Sequence, residues 1–290
     1  MDNIIFNGAN SRDTYFSIHK IHNVHKYTTG KNIKVGIIDW LFAYDDNLDL
    51  YAGYVDISNQ GNTLHKQDGH GLWMAKTLKE IAPDCQIYAI NAITYDSEEE
   101  RAQLLEKAIK WAVDNNIQIL TYSHAMFCNE QRTRVNEAVK YAYENGIITT
   151  FIHNDSKWNL WPYGCLEFFG KNIFSRLPDL NIFHYDYSIF NAEQYDKYIQ
   201  KISNNEDIKS GDEIPFFSFS SMSPVLAGFV ALLKQIDLSL SYEEIKDILV
   251  RTSYAITKRQ KNWYDINPCN NVVDIEKAVT MVKNNTQKGE

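Results

Sequence analysis

The sequence has few cysteines, no surplus of basic residues and no long apolar segment, and each shortage excludes a class of protein. Its four cysteines lie far apart without a C-x-x-C pair, so neither a zinc cluster nor a disulfide framework is indicated. The net charge of −8, without a basic stripe, argues against nucleic acid as a partner. No apolar run approaches the length that spans a bilayer, and the N-terminus lacks the features of a signal peptide. We therefore expect a cytoplasmic protein with reduced thiols and neither a membrane nor a nucleic acid as its partner.

Apolar and aromatic residues are abundant instead. Hydrophobic residues make up 44% of the sequence and aromatic residues 13%, which favours a compact globule over a disordered chain. Because no internal repeat or low-complexity linker interrupts the chain, we predict a single domain over residues 16–284. Residues 1–15 are then a peripheral segment and residues 285–290 a polar tail.

Short β-branched runs alternate with helical patterns along the first half of the chain. Strands are predicted at residues 33–38, 86–93, 117–122 and 147–152. Helices are predicted from about 70 to 81, from Ser97, and at 130–144, 221–236, 241–252 and 273–284. Residues 52–69 are predicted as a polar loop, and 155–215 as short strands and loops. The alternation indicates an α/β fold, a three-layer doubly wound architecture with a mainly parallel sheet.

Polar residues follow several predicted strands or precede predicted helices. Asp39, Ser123 and Asn154 come at or just after strand ends, while His70 and Ser220 each precede a helix. Ligands of open α/β sheets bind beyond the carboxyl ends of the strands. Asp39, His70 and Ser220 are the residue types of a nucleophile with an oriented base, and their chain order is one in which such triads occur. Each also has an ordinary structural interpretation, such as a helix N-cap for Ser220.

Six segments extend this pattern. They are residues 28–39 ending at Asp39, Gly69-His70-Gly71, 109–123 ending at Ser123, 146–154 ending at Asn154, 218–228, and 241–249. In this order they resemble the subtilisin-like serine protease (subtilase) family over about residues 16–283. The resemblance implies a subtilisin-like fold and a serine endopeptidase that acts on a peptide or protein substrate.

The resemblance also implies roles for individual residues. His70 would accept the hydroxyl proton of Ser220, and Asp39 would orient His70. Asn154 and the backbone N–H of Ser220 would receive the developing oxyanion. The substrate-binding residues implied by the family motifs are Ser123, His124, Ala125, Phe151, Ile152 and His153.

The nucleophile has to be chosen among neighbouring serines. Alignment on Pro224 and Gly228 selects Ser220, whereas alignment on the Ser-Met dipeptide selects Ser221. One residue turns a helical side chain by about 100°, so the helix phase outweighs the dipeptide. We predict Ser220.

The sequence departs from the family pattern around the pocket for the residue before the scissile bond. His124 and Ala125 stand where the family has Leu-Gly, and Phe151 to His153 replace small residues. These bulky residues predict a pocket that accepts only a small residue or a particular sequence. The two histidines could alternatively favour an acidic residue.

Other departures leave a second function open. Ser218-Phe219 replaces the family's Gly-Thr, and 13 glycines in 290 residues is a low content. The alternative is a pseudoprotease that binds a peptide or protein partner without cleaving it. About 15 residues precede the matching region, so we expect narrow specificity or an activating or inhibiting protein partner to restrain the enzyme. No cofactor and no metal are predicted; calcium, and a metal at His19, His22 and His25, are weaker alternatives.

Overall fold

A computed structural model describes residues 16–59, 69–94, 96–124, 129–151, 219–257, 260–261, 265–266 and 269–287. The strands of the main sheet are β1 (Lys34–Asp39), β2 (Gly53–Asp56), β3 (Gln86–Asn91), β4 (Ile119–Tyr122) and β5 (Ile148–Phe151). The helices are α1 (His70–Ile81), α2 (Glu98–Asp114), α3 (Asn129–Glu144), α4 (Phe219–Ile236), α5 (Tyr242–Thr252) and α6 (Ile275–Thr286). Short strands β6 (Tyr254–Ile256) and β9 (Cys269–Val272) form one antiparallel pair, and β7 (Gln260–Lys261) and β8 (Asp265–Ile266) form another.

In the described residues the main sheet has five parallel strands in the order β2-β3-β1-β4-β5. The central strand β1 is buried on both faces after its first residue, as expected of a parallel strand covered by helices. Successive side chains of a strand point to opposite faces. Val35 and Ile37 accordingly join the core beneath α1 and α4, whereas Ile38 joins the core beneath α2 and α3. The predicted three-layer α/β architecture is confirmed.

The helix starts follow from local sequence. Ser97 caps α2 by accepting a hydrogen bond from the Glu100 backbone N–H, and Ser241 and Glu244 form a capping box at α5. In contrast, α4 is buried along nearly its whole described length, which explains its almost continuous apolar sequence.

The closest approach between α1 and α4 depends on a glycine. A Cβ atom at Gly228 would lie 2.5 Å from Ile81 Cγ2 and 2.6 Å from Ile81 Cβ. The two helices pack against each other, so any larger residue at position 228 would push them apart. The spacing of α1 and α4 is therefore set at this point.

The far end of α4 holds the chain just before β1. The Gln235 side-chain carbonyl accepts hydrogen bonds from the backbone N–H groups of Thr29 and Lys31, at 2.7 and 2.9 Å. The Thr28 hydroxyl donates to the Leu232 carbonyl at 2.7 Å. These contacts fix α4 relative to the segment that leads into β1.

Several local predictions were wrong. The segment 52–69 was predicted as a loop, but Gly53–Asp56 forms the edge strand β2, whose half-exposed residues carry no apolar run that would reveal it. The helix predicted to begin at residue 221 begins at Phe219, and Pro224 lies inside it. The last helix begins at Ile275 instead of 273. The segment 155–215 lies outside the described residues.

The three N-terminal histidines do not share a helix face. Lys20, in the left-handed conformation, separates His19 from a short 3-10 helix at Ile21–Asn23. His19 Nδ1 contacts the Val273 carbonyl and His25 Nε2 contacts the Ile81 carbonyl, each at 2.8 Å. These histidines fasten the N-terminal segment to the core.

Among the described residues, no helix combines the length and apolar character that a bilayer span requires. Cys85 is a free, buried thiol, and burial raises its pKa to about 12. A cytoplasmic location stays a prediction from the sequence.

Candidate active site

Strand register brings the polar residues of the sequence pattern together. In the parallel pair β1–β4, Ile38 lies opposite Tyr122, so Asp39 and Ser123 emerge side by side at the carboxyl edge. The edge of β5 is next to them, since Tyr122 lies opposite Phe151. The candidate site lies at this edge, where parallel sheets bind ligands.

Asp39 and His70 form a direct pair. His70 Nδ1 lies 2.8 Å from Asp39 Oδ2 and 3.0 Å from Oδ1, and the Trp40 backbone N–H donates to Oδ1 at 2.8 Å. The Asp39 side chain is 0% exposed, whereas that of His70 is 24% exposed. A buried carboxylate thus holds one ring nitrogen of a histidine that remains accessible.

The start of α1 is fastened to the loop that follows Asp39. The Gly71 N–H donates to the Trp40 carbonyl at 2.8 Å, and a Cβ at Gly71 would lie only 2.5 Å from that oxygen. Glycine is therefore required for this close approach, which sets His70 at the first helical position.

A second histidine also contacts the carboxylate. His124 Nε2 lies 3.2 Å from Asp39 Oδ1, and its ring centroid is 4.8 Å from that of His70. Its side chain is 13% exposed. Sequence patterns placed His124 in the substrate pocket and did not indicate this contact.

The pKa of Asp39 reflects two opposed effects. Burial by itself raises the pKa of this carboxyl, but the positive charges of His70 and His124, and the hydrogen bonds from both, outweigh burial and hold the pKa well below its usual range. Asp39 is therefore a carboxylate at neutral pH, able to accept hydrogen bonds from both rings.

The serines at the start of α4 differ in their surroundings. Ser221 and Ser223 are both 0% exposed, whereas Ser220 is partly exposed. The Ser223 hydroxyl lies 2.7 Å from Thr121 Oγ1 and donates to the Thr150 carbonyl. Ser223 thereby fixes the beginning of α4 against β4 and β5.

Ser123 connects the end of β4 to Ser220. Its hydroxyl donates to the Ser220 carbonyl at 2.8 Å and lies 3.5 Å from Met74 Sδ, one turn beyond His70 on α1. In an α-helix the carbonyl of residue 220 accepts from the N–H of residue 224, which is proline and has none. Ser123 supplies a donor to that carbonyl.

Of the remaining predicted site residues, Phe151 is the one that lies within the described part of the chain. Phe151 is fully buried and packs against Tyr122, with ring centroids 5.4 Å apart. Asn154, Ala125, Ile152 and His153 lie outside the described residues.

Asp39, His70 and His124 are also the described residues that could offer a metal ion one ligand atom each, all within 4.8 Å of one another. Two of the pairs among these atoms are already hydrogen bonded, at 2.8 and 3.2 Å. A metal would have to displace these hydrogen bonds, so the arrangement fits a hydrogen-bonded network better than a metal centre.

Comparisons with known proteins agree with this fold. No family model matches the sequence. The minor extracellular protease Epr of Bacillus subtilis (strain 168) is 31% identical over 130 residues, 41% of this chain and 19% of Epr, so the chain spans about a fifth of that relative's length. MycP1 with its N-terminal propeptide removed has a TM-score of 0.62 at 14% identity, with 91% of this chain and 96% of MycP1 covered. A lanthipeptide protease has a TM-score of 0.59 at 16% identity, with 96% and 95% covered.

The fold and the paired Asp39 and His70 define a three-layer α/β protein of the subtilisin type. The chain resembles subtilisin-like proteases: its fold matches that of fervidolysin from Fervidobacterium pennivorans, an enzyme related to subtilisin, with a TM-score of 0.61 at 15% identity over 96% of this chain and 47% of fervidolysin.

Proposed function

We propose that this protein is a serine endopeptidase that cleaves peptide bonds through an acyl-enzyme on Ser220. The observation that carries the proposal is the 2.8 Å contact of the accessible His70 with the buried Asp39 carboxylate. The helix that begins with His70 packs against the helix that begins with Phe219 and Ser220. This is the arrangement of residue types that nucleophilic acyl transfer requires.

The proposed first half-reaction uses three residues. Ser220 Oγ bonds to the peptide carbonyl carbon while His70 Nε2 takes the hydroxyl proton, and the carbonyl electron pair moves onto oxygen. Asp39 stabilises the resulting imidazolium and keeps Nδ1 directed toward itself. The C–N bond then breaks, and the leaving amine takes the proton from His70. A water molecule, deprotonated by His70, releases the acyl group in the same way.

The oxyanion needs hydrogen-bond donors in this mechanism. The backbone N–H of Ser220 and the Asn154 side chain fill this role by resemblance to the family. A donor of this kind typically contributes about 3 kcal/mol to lowering the barrier.

Exposure supports Ser220 as the nucleophile. A nucleophile must be reachable by the substrate, and Ser221 is 0% exposed whereas Ser220 is partly exposed. The apolar surroundings of the α4 start leave Ser221 inside the core, beside Met222 and Val225.

We further propose that the specificity is narrow. The bulk of Ile152 and His153, compared with the small residues of the family, supports a pocket that accepts a small residue before the scissile bond. Similarity to a lanthipeptide protease supports a peptide-processing role, since its name denotes action on one peptide class.

A fluorophosphonate probe tests the nucleophile directly. We expect the wild-type protein to be labelled, Ser220→Ala to lose the label, and Ser221→Ala, the matched control, to keep it. Mass spectrometry of the labelled peptide identifies the modified residue. In a peptide assay, Ser220→Ala should reduce kcat by more than about 10⁴-fold.

The same experiment separates the alternatives. If a folded wild-type protein is never labelled, the result argues against an active serine protease and supports the pseudoprotease alternative. If Ser221→Ala alone abolishes labelling, Ser221 is the nucleophile. A peptide library that shows preference for Phe or Leu before the scissile bond would refute the restricted pocket.

A further inference from the structure

The carboxylate of Asp39 accepts more hydrogen bonds than an Asp-His-Ser triad requires. Besides His70 Nδ1, it is contacted by the Trp40 backbone N–H at 2.8 Å and by His124 Nε2 at 3.2 Å. Both of the additional contacts reach Oδ1, whereas the shorter His70 contact is to Oδ2. Asp39 is therefore shared by two imidazole rings, one of which has no role in the proposed acyl transfer.

His124 is held in place for this contact. It is the second residue after the end of β4, and its ring packs against Tyr122 at 5.7 Å and against His70 at 4.8 Å between centroids. Only 13% of its side chain is exposed, so the ring has little freedom to turn toward solvent. Its orientation is fixed from the strand side and from the His70 side together.

We propose that His124 is a positioning residue that acts on His70 through the shared carboxylate of Asp39; this inference rests on the proposed protease function. The His124 Nε2–H donates to Oδ1, and Asp39 cannot turn without breaking that bond as well as the bond from Trp40. The orientation of Oδ2 is thereby fixed, and with it the ring and tautomer of His70.

Because both rings contact the Asp39 carboxylate, His124 also affects how readily His70 takes up a proton. The direction of the effect is the same whether His124 is neutral or protonated. A neutral His124 donates a hydrogen bond that withdraws negative charge from the carboxylate facing His70. A protonated His124 places a positive charge on a ring whose centroid lies 4.8 Å from that of His70, and this charge opposes protonation of His70. In both cases His124 opposes protonation of His70, so the removal of His124 favours it.

Among the described residues, three titratable groups face His124. They are Asp39 at 3.2 Å, the His70 ring at 4.8 Å and the Tyr122 ring at 5.7 Å. Tyr122 is buried and belongs to the second core cluster. The effect on His70 is therefore attributed to His124 and Asp39.

Two variants of His124 test the proposal by kinetics. His124→Leu installs the residue type that the family has there and removes the donor, while His124→Gln keeps an N–H donor at a similar reach. We expect His124→Leu to reduce kcat about tenfold, and His124→Gln to restore most of this loss. The acid limb of the kcat/KM profile should move to higher pH in His124→Leu.

Either of two results would refute the positioning role of His124. A His124→Leu protein with unchanged kcat and an unchanged acid limb excludes a positioning role. If folded His124→Gln is as impaired as His124→Leu, the ring packing matters and not the donated hydrogen bond, which also refutes the proposal. Thermal unfolding of both variants establishes that the compared proteins are folded.

A spectroscopic measurement separates this proposal from the protease function. In protein labelled with ¹⁵N-histidine, the proton between His70 Nδ1 and Asp39 gives a low-field NMR signal that needs no substrate. We expect its chemical shift and its midpoint of titration to change in His124→Leu and to be largely restored in His124→Gln. An unchanged signal refutes the positioning role even if the protein is an active protease, whereas a changed signal in a protein without activity refutes only the protease function.

Discussion

At the scale of single residues, the position of Ser220, the proposed nucleophile, depends on a proline and a serine that are distant in sequence. Pro224 has no N–H to donate to the Ser220 carbonyl, and the Ser123 hydroxyl donates to it at 2.8 Å. The proline therefore turns an internal helical bond into a contact between α4 and the end of β4. Ser220 is consequently positioned by the sheet as well as by its own helix.

This contact predicts the effect of Ser123→Ala. The loss of the hydroxyl should lower the free energy of unfolding by about 1 kcal/mol, because the Ser220 carbonyl loses a donor in a partly buried place. We also expect a lower kcat in a peptide assay, since the first turn of α4 is less well held. Ser123→Thr keeps a hydroxyl and is the matched control. Equal stability and equal kcat for Ser123→Ala and wild type would contradict the argument.

Of the two histidine contacts with Asp39, the sequence indicated one and missed the other. Asp39 and His70 are paired as their order and their places beside a strand and a helix suggested. His124 was assigned only to the substrate pocket, because its contact with Asp39 joins residues 85 apart and depends on strand register. Packing decides whether a residue beyond the end of β4, such as His124, faces the Asp39 carboxylate. No local sequence pattern indicates this direction.

At the scale of elements, the site depends on how closely two helices approach. α1 begins at His70 and α4 carries Ser220 in its first turn, and Gly228 lies against Ile81 where the two helices meet. The buried elements β1, β3, β4 and α4 were predictable from their apolar runs. The edge strand β2 was missed because its residues are half-exposed and its pairing with β3 is a tertiary contact.

Gly228→Ala tests the helix contact. The new Cβ would lie 2.5 Å from Ile81 Cγ2, so α1 and α4 must separate. We expect a loss of about 1–3 kcal/mol in the free energy of unfolding and a reduced kcat, as His70 moves relative to Ser220.

The matched control is Gly146→Ala. Gly146 has a φ of 76° and nothing within 4 Å of a built Cβ, so its substitution costs stability through the backbone alone. Denaturant unfolding and peptide kinetics of both variants decide the matter. If Gly228→Ala retains wild-type kcat, the helix spacing does not govern the geometry of the site.

At the scale of the whole molecule, the helices on one side of the sheet carry residues of the candidate site, whereas those on the other side support the sheet. The core cluster containing α1 and α4 residues supports the helices that carry His70 and Ser220. The opposite cluster contains α2 and α3 residues and supports the sheet from behind. Damage to either core should cost stability, but damage to the first should also disturb the chemistry.

Substitution of one fully buried leucine in each core compares their effects on stability and on kcat. Leu226→Ala alters the first core within α4, and Leu105→Ala alters the second core within α2. Each should lower the free energy of unfolding by about 2–5 kcal/mol. We expect kcat per labelled nucleophile to fall in Leu226→Ala and to stay near wild type in Leu105→Ala. Equal losses of kcat in the two variants would show that the layers do not differ in this way.

The contacts at the two ends of α4 have a consequence for biosynthesis. Gln235 binds Thr29 across 206 residues, and Ser220 lies 150 residues beyond His70 in the sequence. A ribosome releases Asp39 and His70 long before it releases α4. The unfinished chain therefore contains Asp39 and His70 without Ser220, and under the proposed function a growing copy would have no proteolytic activity before α4 has docked.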